Sequence, residues 1–187
     1  MSKGVVFIEG GHLYLGKDQG AVGNGYKEAE LTYELRELIK NHLINITEGV
    51  PIVTDDDAEA LGGVVKAMNN VLNEKSISLS IHFNAATSAA TGTEVIYPTR
   101  HSMQEFKWAV ELSKLVSSKL GLKDRGARDE TMTARGKLYI RSLHGHNLLL
   151  EVCFITNKGD MDKYQKRKNL IAKSVAEFLK EKYNEIN

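Results

Sequence analysis

Along the chain, short apolar runs alternate with longer stretches in which apolar residues recur every three or four positions. Val5-Val-Phe-Ile8 predicts a first strand, and a Gly-rich loop follows from Gly10 to Gly25. Leu31, Leu35, Leu38 and Ile39 then share one face of a helix. Pro51-Ile-Val-Thr54 predicts a short strand, and Leu61, Val64, Val65, Met68, Val71 and Leu72 return to helical spacing. Ile77, Leu79, Ile81 and Phe83 alternate with Ser78, Ser80 and His82, the period-two pattern of a strand with unlike faces. Glu94-Val-Ile-Tyr97 predicts another strand, and Phe106, Ala109, Leu112, Leu115 and Val116 a third helix. Leu138-Tyr-Ile140 and Leu148 to Ile155 predict two further strands, and Ile171, Val175 and Phe178 the inward face of a last helix. Strands alternating with helices predict an α/β layered domain with a parallel or mixed central sheet flanked by helices.

At 187 residues the chain is long enough for one domain with a sizeable core. No repeat, linker or low-complexity stretch divides it, so residues 1–187 are expected to form one domain with nothing appended. A net charge of +1 supplies no basic field for nucleic acid. No apolar stretch is long enough to cross a membrane. The apolar run near the N-terminus is too short for a signal peptide, and the single cysteine, Cys153, allows no internal disulfide. Synthesis in the cytoplasm as a monomer is the resulting expectation.

Four polar residues stand where such side chains are hard to justify. Glu151 interrupts Leu148-Leu-Leu150 and Val152-Cys-Phe-Ile155, the most apolar run of the chain. An ionised carboxylate buried there needs a cation or a raised pKa. A salt bridge to Arg125, Arg135 or Arg141 would serve, as would catalysis as a general base. His82 belongs to the polar set of an alternating strand, near its end, where ligands gather in α/β sheets; a hydrogen-bonded core histidine is the alternative. His12 follows Glu9-Gly-Gly at the end of the first strand, although a solvated loop histidine would read the same. Glu28 opens the first helix on the same face as Leu31 and Leu35, where the helix dipole alone could explain an acidic residue. Two imidazoles and a carboxylate leave zinc an open position, and a second carboxylate beside it can act as base. His144 and His146 have a spacing that can bind metal but lack companions; they read as loop residues, as does His101 at a helix start. His42 reads as a residue late on the first helix, and Cys153 as a small buried hydrophobe.

Several ordered stretches carry a resemblance. They are Glu9-Gly-Gly-His12, Asp18-Gln-Gly-Ala21, Gly23-Asn-Gly-Tyr-Lys-Glu28, Ser80-Ile-His-Phe-Asn-Ala85 and Gly92-Thr-Glu94, followed by Arg125-Gly126, Leu138-Tyr-Ile-Arg141 and Leu149 to Asn157. Together they resemble the zinc-dependent N-acetylmuramoyl-L-alanine amidases that hydrolyse cell walls, including phage endolysin catalytic domains. The resemblance implies one zinc ion on His12, Glu28 and His82, with Glu151 as the catalytic glutamate. It implies peptidoglycan as partner and substrate, cut between N-acetylmuramic acid and L-alanine. A phage or prophage endolysin, made in the cytoplasm and reaching the wall after release, is the setting this suggests. A zinc exopeptidase of related fold and a non-catalytic wall-binding relative are the alternatives. The chain departs from the family pattern at Leu13-Tyr-Leu15, Asp55-Asp-Asp57, His144-Gly-His146 and Cys153, and none of these removes a ligand. Little chain separates His82 from the third helix, so no inhibitory helix is expected there.

Overall fold

In the computed structural model, residues 3–56, 60–99, 102–133 and 138–187 are described. Six strands form one mixed sheet: β1 (Val6–Gly10), β4 (Ile52–Thr54), β5 (Ile77–Asn84), β6 (Thr93–Tyr97), β7 (Asp124–Asp129) and β8 (His146–Phe154). Their spatial order is β4-β1-β5-β8-β6-β7. The first four run parallel in that order, β6 lies antiparallel to β8, and β7 returns parallel to β6. Helices α1 (Glu28–Ile46), α2 (Leu61–Val71), α3 (Met103–Leu120) and α4 (Lys158–Ile186) complete the layers. The α/β reading of the sequence holds.

The alternating patterns sort residues between the two faces. Val6, Ile8, Ile77, Leu79, Ile81, Leu148 and Leu150 pack with α1, α3 and α4 in the main core. On the other face Phe7 meets Val64 and Met68 of α2 and Leu72 just after it. Near them Ile96 and Leu149 meet Ile140. That second face is covered only in part, and toward the carboxyl ends of the parallel strands it carries polar side chains. Ser80 and His82 on β5, Glu9 on β1, Glu151 on β8 and Glu94 on β6 all lie there, paired across the ladder as Glu9–Ser80, His82–Glu151 and Glu94–Glu151.

Local chemistry sets the helix ends. Ser102 and Glu105 form a reciprocal capping box on α3, and the Asn157 side chain accepts from the Asp160 amide to start α4. The first residue of α1 has no side-chain cap. Its Glu28 and Ala29 amides instead donate to the carbonyls of Ala21 and Gln19 at 2.9 and 3.1 Å, folding the preceding loop against the helix start. At the far end of the sheet the two ends of the chain meet: the Gly4 amide donates to Asn187, and Tyr183 Oη donates to the Gly4 carbonyl.

Two local expectations change, and one strand was not foreseen. Leu138-Tyr-Ile140 is not a strand; Tyr139–Ser142 forms a short 3-10 turn, because Ile140 is needed under the sheet face rather than in a ladder. The loop from Gly10 to Gly25 contains the first strand of a small hairpin, β2 (Val22–Gly23) against β3 (Tyr26–Lys27). The edge strand β7 has the sequence Asp-Arg-Gly-Ala-Arg-Asp, with no apolar alternation to announce it.

Candidate metal centre

Glu28 is the hub of the site. The folded loop that caps α1 leaves its carboxylate free to turn inward, where it is almost fully buried. Its Oε1 accepts from the Phe83 amide at 3.0 Å and lies 3.0 Å from Nδ1 of His82. Its Oε2 accepts from the Ala21 amide at 2.8 Å and lies 3.1 Å from Nε2 of His12. Two backbone amides thus fix the carboxylate, and two imidazoles flank it. Ligand atoms of His12, Glu28 and His82 all lie within 4.8 Å of one another, which makes these three a possible metal site.

The donors fit a divalent ion in more than type. Both ring nitrogens of His12 are buried without a well-directed hydrogen bond. Its backbone has a φ of 71°, a costly conformation for a residue with a side chain, and this local strain accompanies a ring held beside Glu28. Nδ1 of His12 lies 3.0 Å from Oδ1 of Asp18, the kind of outer partner that fixes a ligand imidazole. Gly11 makes room for the second imidazole: a Cβ there would stand 2.3 Å from Cε1 of His82.

Electrostatics agree with a site built for positive charge. Burial raises the pKa of Glu28, but its contacts with His12 and His82 outweigh this and hold it well below the usual carboxylate range. Burial would lower that of His82; Glu28, Glu151 and Glu9 oppose it and push the imidazole up to about 9. His12 is raised above its usual value by Glu28 and Asp18 against the same burial effect.

Glu151 faces His82 across the β5–β8 ladder. It is half-buried and looks into a cavity of about 840 Å³, so the apolar run around it does not place its side chain in the core. A β-bulge after this pair explains the pattern: His82 to Asn84 spans two residues while Glu151 to Phe154 spans three. Val152 and Cys153 therefore enter the core while Glu151 and Phe154 both line the cavity. Arg125, one of the expected salt-bridge partners of Glu151, instead pairs with Glu94 at 2.7 Å. Arg135 and His101 lie outside the described residues.

His144 and His146 are far from this centre. His146 opens β8 opposite Ile77, at the other end of the strand that carries His82, and its ring lies 5.1 Å from that of Trp108. His42 is half-buried on α1, and Cys153 is buried as expected. Residues that the sequence reading gave no role also line the cavity, among them Glu9, Asp18, Asp55, Glu94, Arg128 and Tyr139. Ser80 and Tyr139 both hydrogen-bond Glu9, and Arg36 pairs with Asp55 at 2.8 Å. The signal for them lay in the quoted stretches, which contain Glu9, Asp18, Glu94 and Tyr139 without assigning them a role.

A layered α/β fold whose strand ends bring two imidazoles and two carboxylates to one open cavity defines a class of hydrolases. The sequence model of the N-acetylmuramoyl-L-alanine amidases matches residues 6–181. The chain belongs to that family, whose reaction is the hydrolysis of peptidoglycan. It is 27% identical over 161 residues to the N-acetylmuramoyl-L-alanine amidase LytC of Bacillus subtilis, covering 84% of this chain and 31% of that protein. Among solved structures it is similar to the catalytic domain of CwlV, an N-acetylmuramoyl-L-alanine amidase from Bacillus (Paenibacillus) polymyxa var. colistinus, with a TM-score of 0.79, 26% identity and 98% and 99% of the two chains covered. An N-acetylmuramoyl-L-alanine amidase from Clostridium difficile 630 shares the fold over 99% of both chains, with a TM-score of 0.84 and 19% identity.

Proposed function

We propose that the protein is a zinc-dependent amidase that cuts between the lactyl group of N-acetylmuramic acid and the L-alanine that begins the stem peptide. His12, Glu28 and His82 would hold the ion, and Glu151 would carry the proton. The observation that supports this best is the convergence of three ligand-type atoms on one buried point, with a cavity-facing carboxylate opposite His82 in the ladder. Zinc in such an open site supplies Lewis acidity and a water acidic enough to attack near neutral pH.

The chain's own groups have defined tasks. The Ala21 and Phe83 amides keep Glu28 in place, and Asp18 keeps the ring of His12 turned toward it. Glu151 takes a proton from the attacking water and delivers it to the nitrogen of the departing alanine, so one group serves as base and then as acid. The buried placement of Glu28 and His82 keeps bulk water away from the ligands.

Digestion of purified peptidoglycan, with and without a zinc chelator, tests the reading when new alanine amines and new reducing sugar ends are scored separately. Chelator-sensitive alanine amines without reducing ends are expected. Zinc binding without alanine release from several wall types would favour an exopeptidase or a wall-binding protein. We further infer that the protein works as a phage or prophage endolysin, made in the cytoplasm and acting once the membrane is breached. Lysis of an expressing host only after permeabilisation is the expected result, and wall cleavage in intact cells would count against it.

A further inference from the structure

The edge strand β7 carries two arginines, Arg125 and Arg128, three residues apart. In a regular strand, residues an odd number apart point to opposite faces. Here the register shifts between the pairs Thr93–Asp124 and Val95–Ala127, and Gly126 within the shift has a φ of 79°. A Cβ on Gly126 would meet nothing within 4 Å, so the backbone conformation, not space, calls for glycine. The bulge turns both arginines toward the catalytic cavity, whose wall they line.

Both are anchored on one carboxylate, Arg125 by a hydrogen bond from Nε and Arg128 by an ion pair in which its buried Nε makes no well-directed hydrogen bond. Nε of Arg125 and Nε of Arg128 each lie 2.7 Å from Oε2 of Glu94, and the other oxygen of that carboxylate accepts from Asn84 at 2.9 Å. The guanidinium of Arg125 also lies over the ring of Phe154, 5.0 Å from its centroid. One arginine would neutralise Glu94; the second leaves a positive charge in excess. Among the described residues Glu94 is the only ionic partner of either arginine, and its contacts use Nε, so the terminal nitrogens are what each fork presents. The other carboxylate or ammonium-type groups of the lining are acidic, Glu9, Asp18, Glu28, Asp55 and Glu151, and among the described residues these two are its only Arg or Lys. Away from the metal centre, an anionic group on a ligand finds its favourable place in this cavity beside these arginines.

We propose that Arg125 and Arg128 form a carboxylate-binding subsite that recognises the α-carboxylate on the second residue of the stem peptide. The proposal rests on the amidase reading above. Glu94 pairs with Glu151 across the β6–β8 ladder, roughly one strand spacing of 4.8 Å away, and the arginines stand on the next strand. Two extended residues span about 7 Å, so a stem peptide whose first amide lies over Glu151 brings its second-residue carboxylate to the arginine forks. Two parallel N–H donors on a planar fork suit a carboxylate and not a neutral amide.

The test is the binding of two synthetic tripeptides to the zinc-loaded protein by calorimetry: L-alanyl-γ-D-glutamyl-L-lysine, and the same peptide with the second-residue α-carboxylate amidated. The free acid is expected to bind about 10- to 100-fold more tightly, the range of a charge-assisted hydrogen-bond pair. Arg125→Gln and Arg128→Gln should each move the ratio of the two affinities toward one. Equal affinities in the unaltered protein, or a ratio undiminished in both variants, would overturn the subsite. The unaltered protein alone decides the first point, so a variant that fails to fold does not remove the test. Failure of the amidase reading would show separately, as an absence of new alanine amines on intact wall whatever the tripeptides do.

Discussion

Single residues of this protein are legible where they contradict their surroundings. Glu151 stands in an apolar run, His82 on the polar side of a strand, and Glu28 on the inward face of a helix. Each contradiction is resolved by the cavity. Glu151→Gln keeps the size of the side chain but removes its proton chemistry. Turnover should fall about 100- to 10,000-fold while zinc content, measured by metal analysis, stays near one ion per chain. His82→Ala should lose the ion itself, and full zinc retention would remove His82 from the ligand set. Asp18 is the instructive omission. Its side chain is largely exposed, as a loop aspartate should be, and only the folded loop shows it 3.0 Å from His12. Asp18→Ala is expected to weaken zinc binding by about tenfold, the lower end for loss of an outer partner, in a chelator competition. Arg128 was equally hidden, because a charged residue on an edge strand ordinarily faces water, whereas Glu94 and Arg125 stand in the quoted stretches with nothing in the sequence to pair them.

At the level of elements, what could be read was whatever buries an apolar face. The spacing of Leu31, Leu35 and Ile39 continues to Leu43 on α1, and all four are buried. Leu35→Ala, at a fully enclosed position, should cost about 2–5 kcal/mol in denaturant unfolding. Because Glu28 lies two turns away on the same face, that variant should also bind zinc less tightly. Elements held by polar chemistry stayed illegible. Strand β7 has Ala127 as its single apolar residue and earns its place through ladder bonds to β6 and the ion pairs to Glu94. The segment at Leu138-Tyr-Ile140 failed for the opposite reason: three apolar residues in a row suit a strand or a tight turn equally, and packing chose the turn.

For the whole molecule, the centre couples folding, protonation and metal. In the metal-free protein Glu28, Glu151 and Glu9 outweigh burial and push His82 up to about 9, so their combined attraction stabilises the fold fully below pH 6.5 and is lost as pH rises to about 9. The shift corresponds to on the order of 3 kcal/mol. Glu28 has the opposite sign: its contribution is present above 4.5 and fades as pH falls below that value. Zinc must displace the imidazole protons, so its affinity should climb about tenfold per pH unit for each proton released, levelling off near pH 9. The difference in melting temperature between zinc-loaded and chelator-treated protein should therefore widen from pH 6.5 to 9, as scanning calorimetry would record. A constant difference across that range would show that neither imidazole holds a proton before the metal arrives.

The meeting of Gly4 with Tyr183 and Asn187 sets how this unit can be wired to others. Both ends leave from the edge where the parallel strands begin, and the cavity opens where they finish. A fusion partner or tag attached at either end would hang from the side away from the substrate, and its linker would not have to cross the groove. The same closeness suits circular permutation: a short linker could join the ends, and new termini could be opened in a surface loop on the far side.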